Sequence, residues 1–183
     1  MATPAIPAPL AQLPNALTLA RLVVIPVFVV LMVSAGDAHS WPAGILFGAA
    51  GVTDQIDGFL ARLWHVESRF GKIADPLADR LMIDAAVILL VVYGRLPWVA
   101  LAVIVARDLL LLAGWRVLAP RGIELDVNLL GKGATWLLYA AIGFRIATHD
   151  ATEWPLWLFW IGLGSAVAAA MLYVREAWKA IRR

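Results

Sequence analysis

The sequence contains no cysteine and few charged residues. Without cysteine the chain can form no disulfide bond and no thiolate metal site, so a disulfide-stabilised fold and cysteine redox chemistry are excluded. Charged residues make up only 15% of the 183 residues, whereas soluble domains usually contain about 25%. The three histidines, His39, His65 and His149, are far apart in the sequence and do not have the spacing of metal ligands. These shortages argue against a soluble domain and against a zinc protein.

Apolar residues dominate instead. They account for 62% of the chain, and they form six apolar segments at residues 17–36, 42–62, 77–94, 97–118, 132–149 and 154–174. Each segment is close to the roughly 20 residues that a helix needs to cross the hydrocarbon core of a bilayer. The connections are short, so we expect a single all-α integral membrane domain over residues 1–183. It would consist of six transmembrane helices in one bundle, with residues 1–12 as a flexible tail.

Basic residues are distributed unevenly between the two sides of this predicted bundle. With six membrane crossings, both termini lie on the same side as the connections at 62–76 and 116–132. Of the 15 lysine and arginine residues, 13 lie on or near that side, and only Arg95 and Arg145 lie near the other. Because basic residues concentrate on the cytoplasmic side of membrane proteins, we expect this side to face the cytoplasm, in a bacterial cell membrane.

The stretch DQIDGFLARLWHVESRFGKIADPLAD, residues 54–79, interrupts the apolar pattern with four aspartates: Asp54, Asp57, Asp75 and Asp79. The first pair is three residues apart and the second pair is four residues apart, so each pair lies on one face of a helix. Gly58 and Ala61 share the face of the first pair and add little bulk, which leaves room for a ligand. Two successive helices are therefore expected to present four carboxylates to one another at the cytoplasmic end of the bundle.

Four neighbouring carboxylates close to lipid require a strong counter-charge. Hard divalent cations, such as Mg²⁺, Mn²⁺ or Ca²⁺, prefer oxygen ligands, and a pair of such ions is a known arrangement for displacement at phosphorus. Arg62 on the same face can bind a phosphate through its guanidinium group. The alternative is that the aspartates are solvated charges paired with nearby basic residues. Asp84 lies nine residues after Asp75, on the opposite helix face, so we expect it to act in hydrogen bonding or helix packing.

The aspartate stretch resembles the signature of the CDP-alcohol phosphatidyltransferase family. Every fixed position of that signature is filled, as Asp54-x₂-Asp57-Gly58-x₂-Ala61-Arg62-x₈-Gly71-x₃-Asp75-x₃-Asp79. The opening LPNALTLARLVVIP is similar to the first-helix motif of the phosphatidylglycerophosphate synthase and cardiolipin synthase branch. The six predicted helices and the cytoplasmic site agree with the same family, so the resemblance covers essentially the whole chain.

The resemblance implies transfer of the phosphatidyl group of CDP-diacylglycerol to an alcohol, with release of CMP. It implies that two ions, Mg²⁺ or Mn²⁺, are held by Asp54, Asp57, Asp75 and Asp79, and that Asp79 is also the general base. The residues that it assigns to the CDP-diacylglycerol site are Asn15, Ala16, Leu17, Thr18, Gly58, Ala61, Arg62, Ser68 and Gly71. Members are commonly homodimeric. The expected partners are therefore the two substrates, membrane lipids and a second copy, and no nucleic acid.

The sequence offers basic residues that could bind the alcohol that accepts the phosphatidyl group. Arg107, Arg116 and Lys132 are candidates for a basic pocket that holds a phosphate of the acceptor, although each alone also fits membrane orientation or lipid head-group contact. We expect glycerol 3-phosphate, with phosphatidylglycerol, and hence cardiolipin synthesis, as the alternative. Ala134 stands where a second lysine is typical and Asp108 where glutamate is usual, and both departures weaken the assignment to glycerol 3-phosphate.

A cation or proton transporter is the alternative from another class, since carboxylates within membrane helices often mark ion paths. Two features argue against a transporter. The carboxylates cluster near one surface of the membrane rather than at its midplane, and the two halves of the sequence contain no matching pair of helices interrupted by glycine or proline.

Overall fold

The computed structural model describes the backbone of residues 8–149 and 151–181, apart from 65–70 and 119–128, and the side chains of 20, 22–53, 80–114, 116, 118, 129–149 and 151–180. Within these residues, α-helices joined by short turns and loops are the only regular secondary structure. Its helices are α1 (Ala8–Ser34), α2 (Trp41–Trp64), α3 (Gly71–Val92), α4 (Trp98–Leu118), α5 (Leu129–Ala147) and α6 (Trp154–Ile181). The predicted number of helices is confirmed for this part of the chain. α1 begins at Ala8, inside the segment interpreted as a tail, and α6 continues to Ile181 instead of ending near residue 174.

The helices pack side by side in a ring, in the order α1, α2, α5, α6, α4 and α3. α5 has the most extensive packing, against α6 on one side and α2 on the other, while α3 also reaches across the ring to α2 and α5. Large apolar side chains fill the middle, among them Phe28, Phe47, Met82, Ile142 and Phe159. As successive helices run in opposite directions, the connections after α1, α3 and α5 lie together at one end of the bundle, called here the capped end.

Local sequence explains how the chain turns at the capped end. The α3–α4 turn is a Schellman motif, in which Gly94 has a positive φ of 72° and Gly94 N and Arg95 N donate to the carbonyl oxygens of Val91 and Leu90, at 3.0 and 2.7 Å. α2 begins with Ser40 as its N-cap, whose hydroxyl accepts a hydrogen bond from Ala43 N at 3.2 Å. These turn residues end and start helices where the apolar segments meet.

Two buried arginines tie the three connections of the capped end together. Arg95 donates to the carbonyl oxygens of Ala38, at 2.7 Å, and Thr148. Arg145 donates from Nε to the carbonyl oxygen of Arg95 and from Nη1 to that of Thr152, both at 3.1 Å. Each guanidinium thus satisfies backbone carbonyls at loop and helix ends, which is a structural role.

The fold also brings two histidines into contact at the capped end. The rings of His39 and His149 stack with their centroids 3.9 Å apart, and Nε2 of His39 lies 3.2 Å from the carbonyl oxygen of Ala147. The two residues are far apart in the sequence, but sequence separation does not measure distance in a folded bundle. Within the described side chains, no group of three potential metal ligands is found.

The outer surface of the ring is unusually apolar. Twenty-eight large hydrophobic side chains are exposed among the described residues, whereas soluble monomers rarely expose extended apolar patches. By length and composition, one described helical stretch is long and apolar enough to cross a membrane: Trp154–Ala180, with a mean hydropathy of 1.8.

Candidate active site

The helices predicted to carry the two aspartate pairs are both present. Asp54 and Asp57 belong to α2, and Asp75 and Asp79 belong to α3. The side chains of these aspartates lie outside the described residues, so their mutual geometry and metal binding stay predictions. The same holds for the residues assigned to the CDP-diacylglycerol site: Asn15, Ala16, Leu17, Thr18, Gly58, Ala61, Arg62, Ser68 and Gly71.

Helix bounds place one charged residue on each of four helices at a similar distance from the capped end. Asp54 is thirteen residues from the end of α2 at Trp41, and Asp79 is thirteen residues from the end of α3 at Val92. Asp108 is ten residues into α4, and Lys132 is fifteen residues from the end of α5. At about 1.5 Å of rise per residue these positions lie roughly 15–23 Å from the capped end. These four residues therefore lie at a similar depth in the bundle, in a zone called here the polar layer.

The described part of this layer contains a cluster of charged side chains between α3 and α4. Nη1 of Arg80, the residue after Asp79, forms a salt bridge with Oδ2 of Asp108. Nη1 of Arg107 donates to the other carboxylate oxygen of Asp108 at 3.0 Å. One aspartate thus orients two guanidinium groups and links the helix that carries Asp79 to the helix that carries Arg107. Asp84 lies one helical turn after Arg80 on the same face of α3 and is half-buried.

Arg107 has donor capacity that the described residues do not satisfy. Its Nε atom is buried and has no hydrogen-bond partner among them. Buried donors are nearly always paired with a protein group, water or ligand. An oxyanion is a suitable partner, because a guanidinium presents its N–H groups in a planar fork that matches phosphate and carboxylate.

The three candidates for the acceptor pocket do not lie together. Arg107 and Arg116 are nine residues apart on α4, which corresponds to about 14 Å along the helix and opposite faces. Lys132 is exposed on α5, which α6 separates from α4 in the ring. One phosphate cannot bridge Arg107 and Arg116 in this arrangement. Ala134, where a second lysine is typical of the enzymes that the sequence resembles, is a buried position, so the small residue there belongs to helix packing.

Sequence reasoning missed the pairing of Arg80 with Asp108. In the sequence, Arg80 was only one of the nearby basic residues that could pair with the aspartates as solvated charges, and Asp108 was a departure from a family pattern. A usable signal was present: both residues interrupt strongly apolar helices, and charged residues in such positions usually pair with one another.

Comparison with known proteins identifies the class to which the chain belongs. A family model described as CDP-alcohol phosphatidyltransferase matches residues 11–171, and the chain is a member of this family. The matched range contains both aspartate pairs, the cluster around Asp108, and Lys132.

Individual relatives carry a more specific name. The CDP-diacylglycerol--glycerol-3-phosphate 3-phosphatidyltransferase of Bacillus subtilis (strain 168) is 32% identical over 191 residues, which cover 93% of this chain and 97% of the relative. The proteins of the same name from Escherichia coli (strain K12) and Shigella flexneri are 30% identical over 165 residues, with 88% of both chains covered.

Proposed function

We propose that this protein is a membrane-embedded transferase that moves the phosphatidyl group of CDP-diacylglycerol to glycerol 3-phosphate and releases CMP. The observation that carries the proposal is the match to the CDP-alcohol phosphatidyltransferase family over residues 11–171, with every aspartate of the signature present. The relatives named for this reaction align along almost their whole length, which favours glycerol 3-phosphate over phosphatidylglycerol as the acceptor. A transporter is not favoured, since the matched family consists of transferases.

Membrane embedding is supported by the apolar exterior of the helix ring and by the length and composition of α6. We infer that all six helices are embedded in the bilayer and that the polar layer opens toward the side rich in lysine and arginine, which is cytoplasmic by the positive-inside rule. A site at that position lets the acyl chains of the lipid substrate stay in hydrocarbon while water delivers the second substrate. A dimer of two such chains is part of the same proposal.

The donor set suits two hard divalent cations. Asp54, Asp57, Asp75 and Asp79 offer only carboxylate oxygens, the ligands that Mg²⁺ and Mn²⁺ prefer. The chain has no cysteine, and His39 and His149 lie at the capped end, away from the aspartates, while His65 lies outside the described residues. When bound, such ions polarise phosphoryl oxygens and neutralise negative charge on the diphosphate and on departing CMP.

The protein groups then have separable tasks in the transfer. A hydroxyl oxygen of glycerol 3-phosphate attacks the phosphorus that bears the diacylglycerol group, and the bond from that phosphorus to the oxygen of CMP breaks. Asp79 accepts the proton of the attacking hydroxyl. Arg107, whose Nε has no partner among the described residues, is the described residue best suited to bind the phosphate of the acceptor, and Asp108 holds its guanidinium in place.

One experiment tests both whether the protein is a phosphatidyltransferase and which acceptor it uses. Purified enzyme in detergent micelles is given CDP-diacylglycerol and Mg²⁺ with either glycerol 3-phosphate or phosphatidylglycerol. CMP release is followed, and the lipid product is identified by mass spectrometry. We expect phosphatidylglycerophosphate from the first acceptor. Cardiolipin from the second acceptor alone would overturn the acceptor assignment, and no CMP release with either would overturn the transferase assignment.

A variant at Asp79 tests the assignment of the base. Asp79→Asn should lower kcat far more than it weakens binding of CDP-diacylglycerol, because a base acts on the acceptor hydroxyl and not on the nucleotide. Asp57→Asn is the matched comparison, since a metal ligand affects both quantities. An equal loss of nucleotide affinity in the two variants would make Asp79 a metal ligand only.

A further inference from the structure

An apolar groove runs along the outside of the bundle between α2 and α5. Its volume is about 300 Å³. Two glycines bring the helices together at its ends: a Cβ at Gly44 would lie 2.9 Å from Cβ of Ala147, and a Cβ at Gly51 would lie 2.5 Å from Cε1 of Tyr139. Between these two contact points the helices leave open space.

Gly48 lies midway along the groove and keeps it open. A Cβ at Gly48 would meet no atom within 4 Å, so a larger side chain there would enter the groove without displacing protein atoms. The sides of the groove are large apolar side chains that are exposed at the protein surface: Trp41, Ile45, Val52, Trp136 and Phe144. The groove therefore opens sideways, toward the surroundings that the proposed membrane embedding makes lipid.

The dimensions suit a single hydrocarbon chain. The part of α2 along the groove, Trp41 to Val52, is about 16 Å long at 1.5 Å per residue. This length is close to half of the roughly 30 Å hydrocarbon core of a bilayer, and hence to the depth that one leaflet's acyl chains occupy. A volume of about 300 Å³ holds on the order of ten groups of the size of a water molecule. A methylene group is of similar size, so there is room for most of one chain and not for two.

The position of the groove connects it to the candidate active site. Val52, at one end of the groove, precedes Asp54 by two residues on the same helix, which is about 3 Å of helix rise. The residues along the groove carry no charge, so its occupant is hydrocarbon and not a head group. A lipid whose diphosphate lies at the aspartates would have its acyl chains begin beside this end of the groove.

We propose that the groove between α2 and α5 binds one acyl chain of CDP-diacylglycerol while the head group occupies the aspartate site. This inference rests on the proposed function and extends it, because it assigns part of lipid recognition to protein side chains instead of leaving both chains in the bilayer. The bound chain orients the substrate so that its diphosphate faces the aspartates, and the second chain remains among membrane lipids.

Filling the groove at Gly48 tests the proposal. Gly48→Leu places a branched side chain in the open space, and leucine is a better helix former than glycine, so the helix should not be weakened. We expect its KM for dipalmitoyl CDP-diacylglycerol to rise about tenfold, equal to about 1.4 kcal/mol, with kcat retained. Its KM for dibutanoyl CDP-diacylglycerol should stay at the wild-type value, because a four-carbon chain that begins beside Val52 ends before Gly48, which lies about 6 Å further along the helix. Activity on the short-chain substrate also demonstrates that the variant is folded.

Two further variants complete the experiment. Gly164→Leu on α6 is the matched control, since a Cβ at Gly164 also meets no atom within 4 Å and this residue lies outside the groove; both of its KM values should be unchanged. Ala140→Leu narrows the groove from α5 and should reproduce the effect of Gly48→Leu. It provides a second test if the first variant fails to fold.

The remaining outcomes separate the inference from the function on which it rests. If Gly48→Leu and Ala140→Leu changed KM equally for both chain lengths, or for neither, the groove would not bind the acyl chain. A change of oligomeric state in Gly48→Leu would identify the groove as an interface between copies and overturn the proposal. If the wild-type protein released no CMP from either substrate, the proposed function itself would fall, and this inference with it.

Discussion

Replacing Asp108 with asparagine perturbs the polar layer between α3 and α4 with little change in side-chain volume. The carboxylate of Asp108 binds Arg80 through one oxygen and Arg107 through the other. In the Asp108→Asn variant, one of these oxygens becomes an NH₂ group, which cannot accept a hydrogen bond from a guanidinium. Two arginines in largely apolar surroundings then lose their shared counter-charge.

The loss of stability in Asp108→Asn can be estimated from how exposed the side chains of Asp108 and Arg80 are. Breaking a fully buried ion pair by removing one partner costs about 3–5 kcal/mol, and removing an exposed pair costs about 0–1 kcal/mol. The side chain of Asp108 is 15% exposed and that of Arg80 is 40% exposed, so this pair lies between the two limits. We expect Asp108→Asn to lower the free energy of unfolding by about 1–3 kcal/mol.

The effect on activity should be specific for the acceptor. If Asp108 holds Arg107 in place to bind the phosphate of glycerol 3-phosphate, misplacing it loses a charged hydrogen bond worth about 1.5–3 kcal/mol. That loss corresponds to a rise in KM for glycerol 3-phosphate of roughly ten- to a hundredfold, while KM for CDP-diacylglycerol changes little. Asp108→Glu keeps the charge and should restore most of the affinity. Thermal unfolding in detergent and steady-state kinetics with each substrate varied in turn measure both effects.

The chain offers a matched control on α6. Lys179 and Glu176 form an ion pair at 2.9 Å with side chains that are 50% and 57% exposed. Glu176→Gln should therefore cost no more than about 0.5 kcal/mol and should leave both KM values unchanged. A double-mutant cycle with Arg80→Gln isolates the coupling to Asp108. If Asp108→Asn proved as mild as Glu176→Gln in stability and in KM for glycerol 3-phosphate, the reasoning about this cluster would be refuted.

Three further predictions concern the metal, the helix faces and pH. Removing divalent cations with excess EDTA should abolish CMP release and Mg²⁺ or Mn²⁺ should restore it, because the four predicted ligands are all carboxylates; full turnover by metal-free enzyme would contradict the two-ion proposal. Asp75→Asn should abolish transfer, whereas Asp84→Asn, on the opposite face of α3, should retain most of it; equal inactivation of two well-folded variants would show that the helical-face argument is wrong. At the capped end, the hydrogen bond from the backbone N–H of His39 lowers the pKa of Asp37 from its usual value of 3.8. Since the folded pKa is the lower one, the stabilisation from Asp37 is present above the unfolded pKa and is lost as the pH falls through the folded pKa. The melting temperatures of the wild type and Asp37→Asn should therefore converge in acid, and a constant difference down to about pH 2 would exclude this role.

Several features could be predicted from the sequence because they depend on local information. The length and hydropathy of each apolar segment are enough to predict a helix, and the described helices occur where they were predicted, apart from longer ends on α1, α3 and α6. The spacing of Asp54 and Asp57 assigns them to one face of α2, since helical periodicity does not depend on the rest of the fold. The same stretch indicated the family that the comparison then identified.

Other features depend on which helices become neighbours, and only the tertiary structure decided them. The stacking of His39 on His149 joins loops 110 residues apart in the chain. The pairing of Arg80 with Asp108 required α3 and α4 to lie side by side with these residues at the same height. The groove exists because Gly44 and Gly51 let α2 approach α5 at two points while Gly48 leaves space between them. Periodicity specifies the face that a residue occupies on its own helix, but the helix opposite that face is chosen by the fit of side chains across the whole bundle.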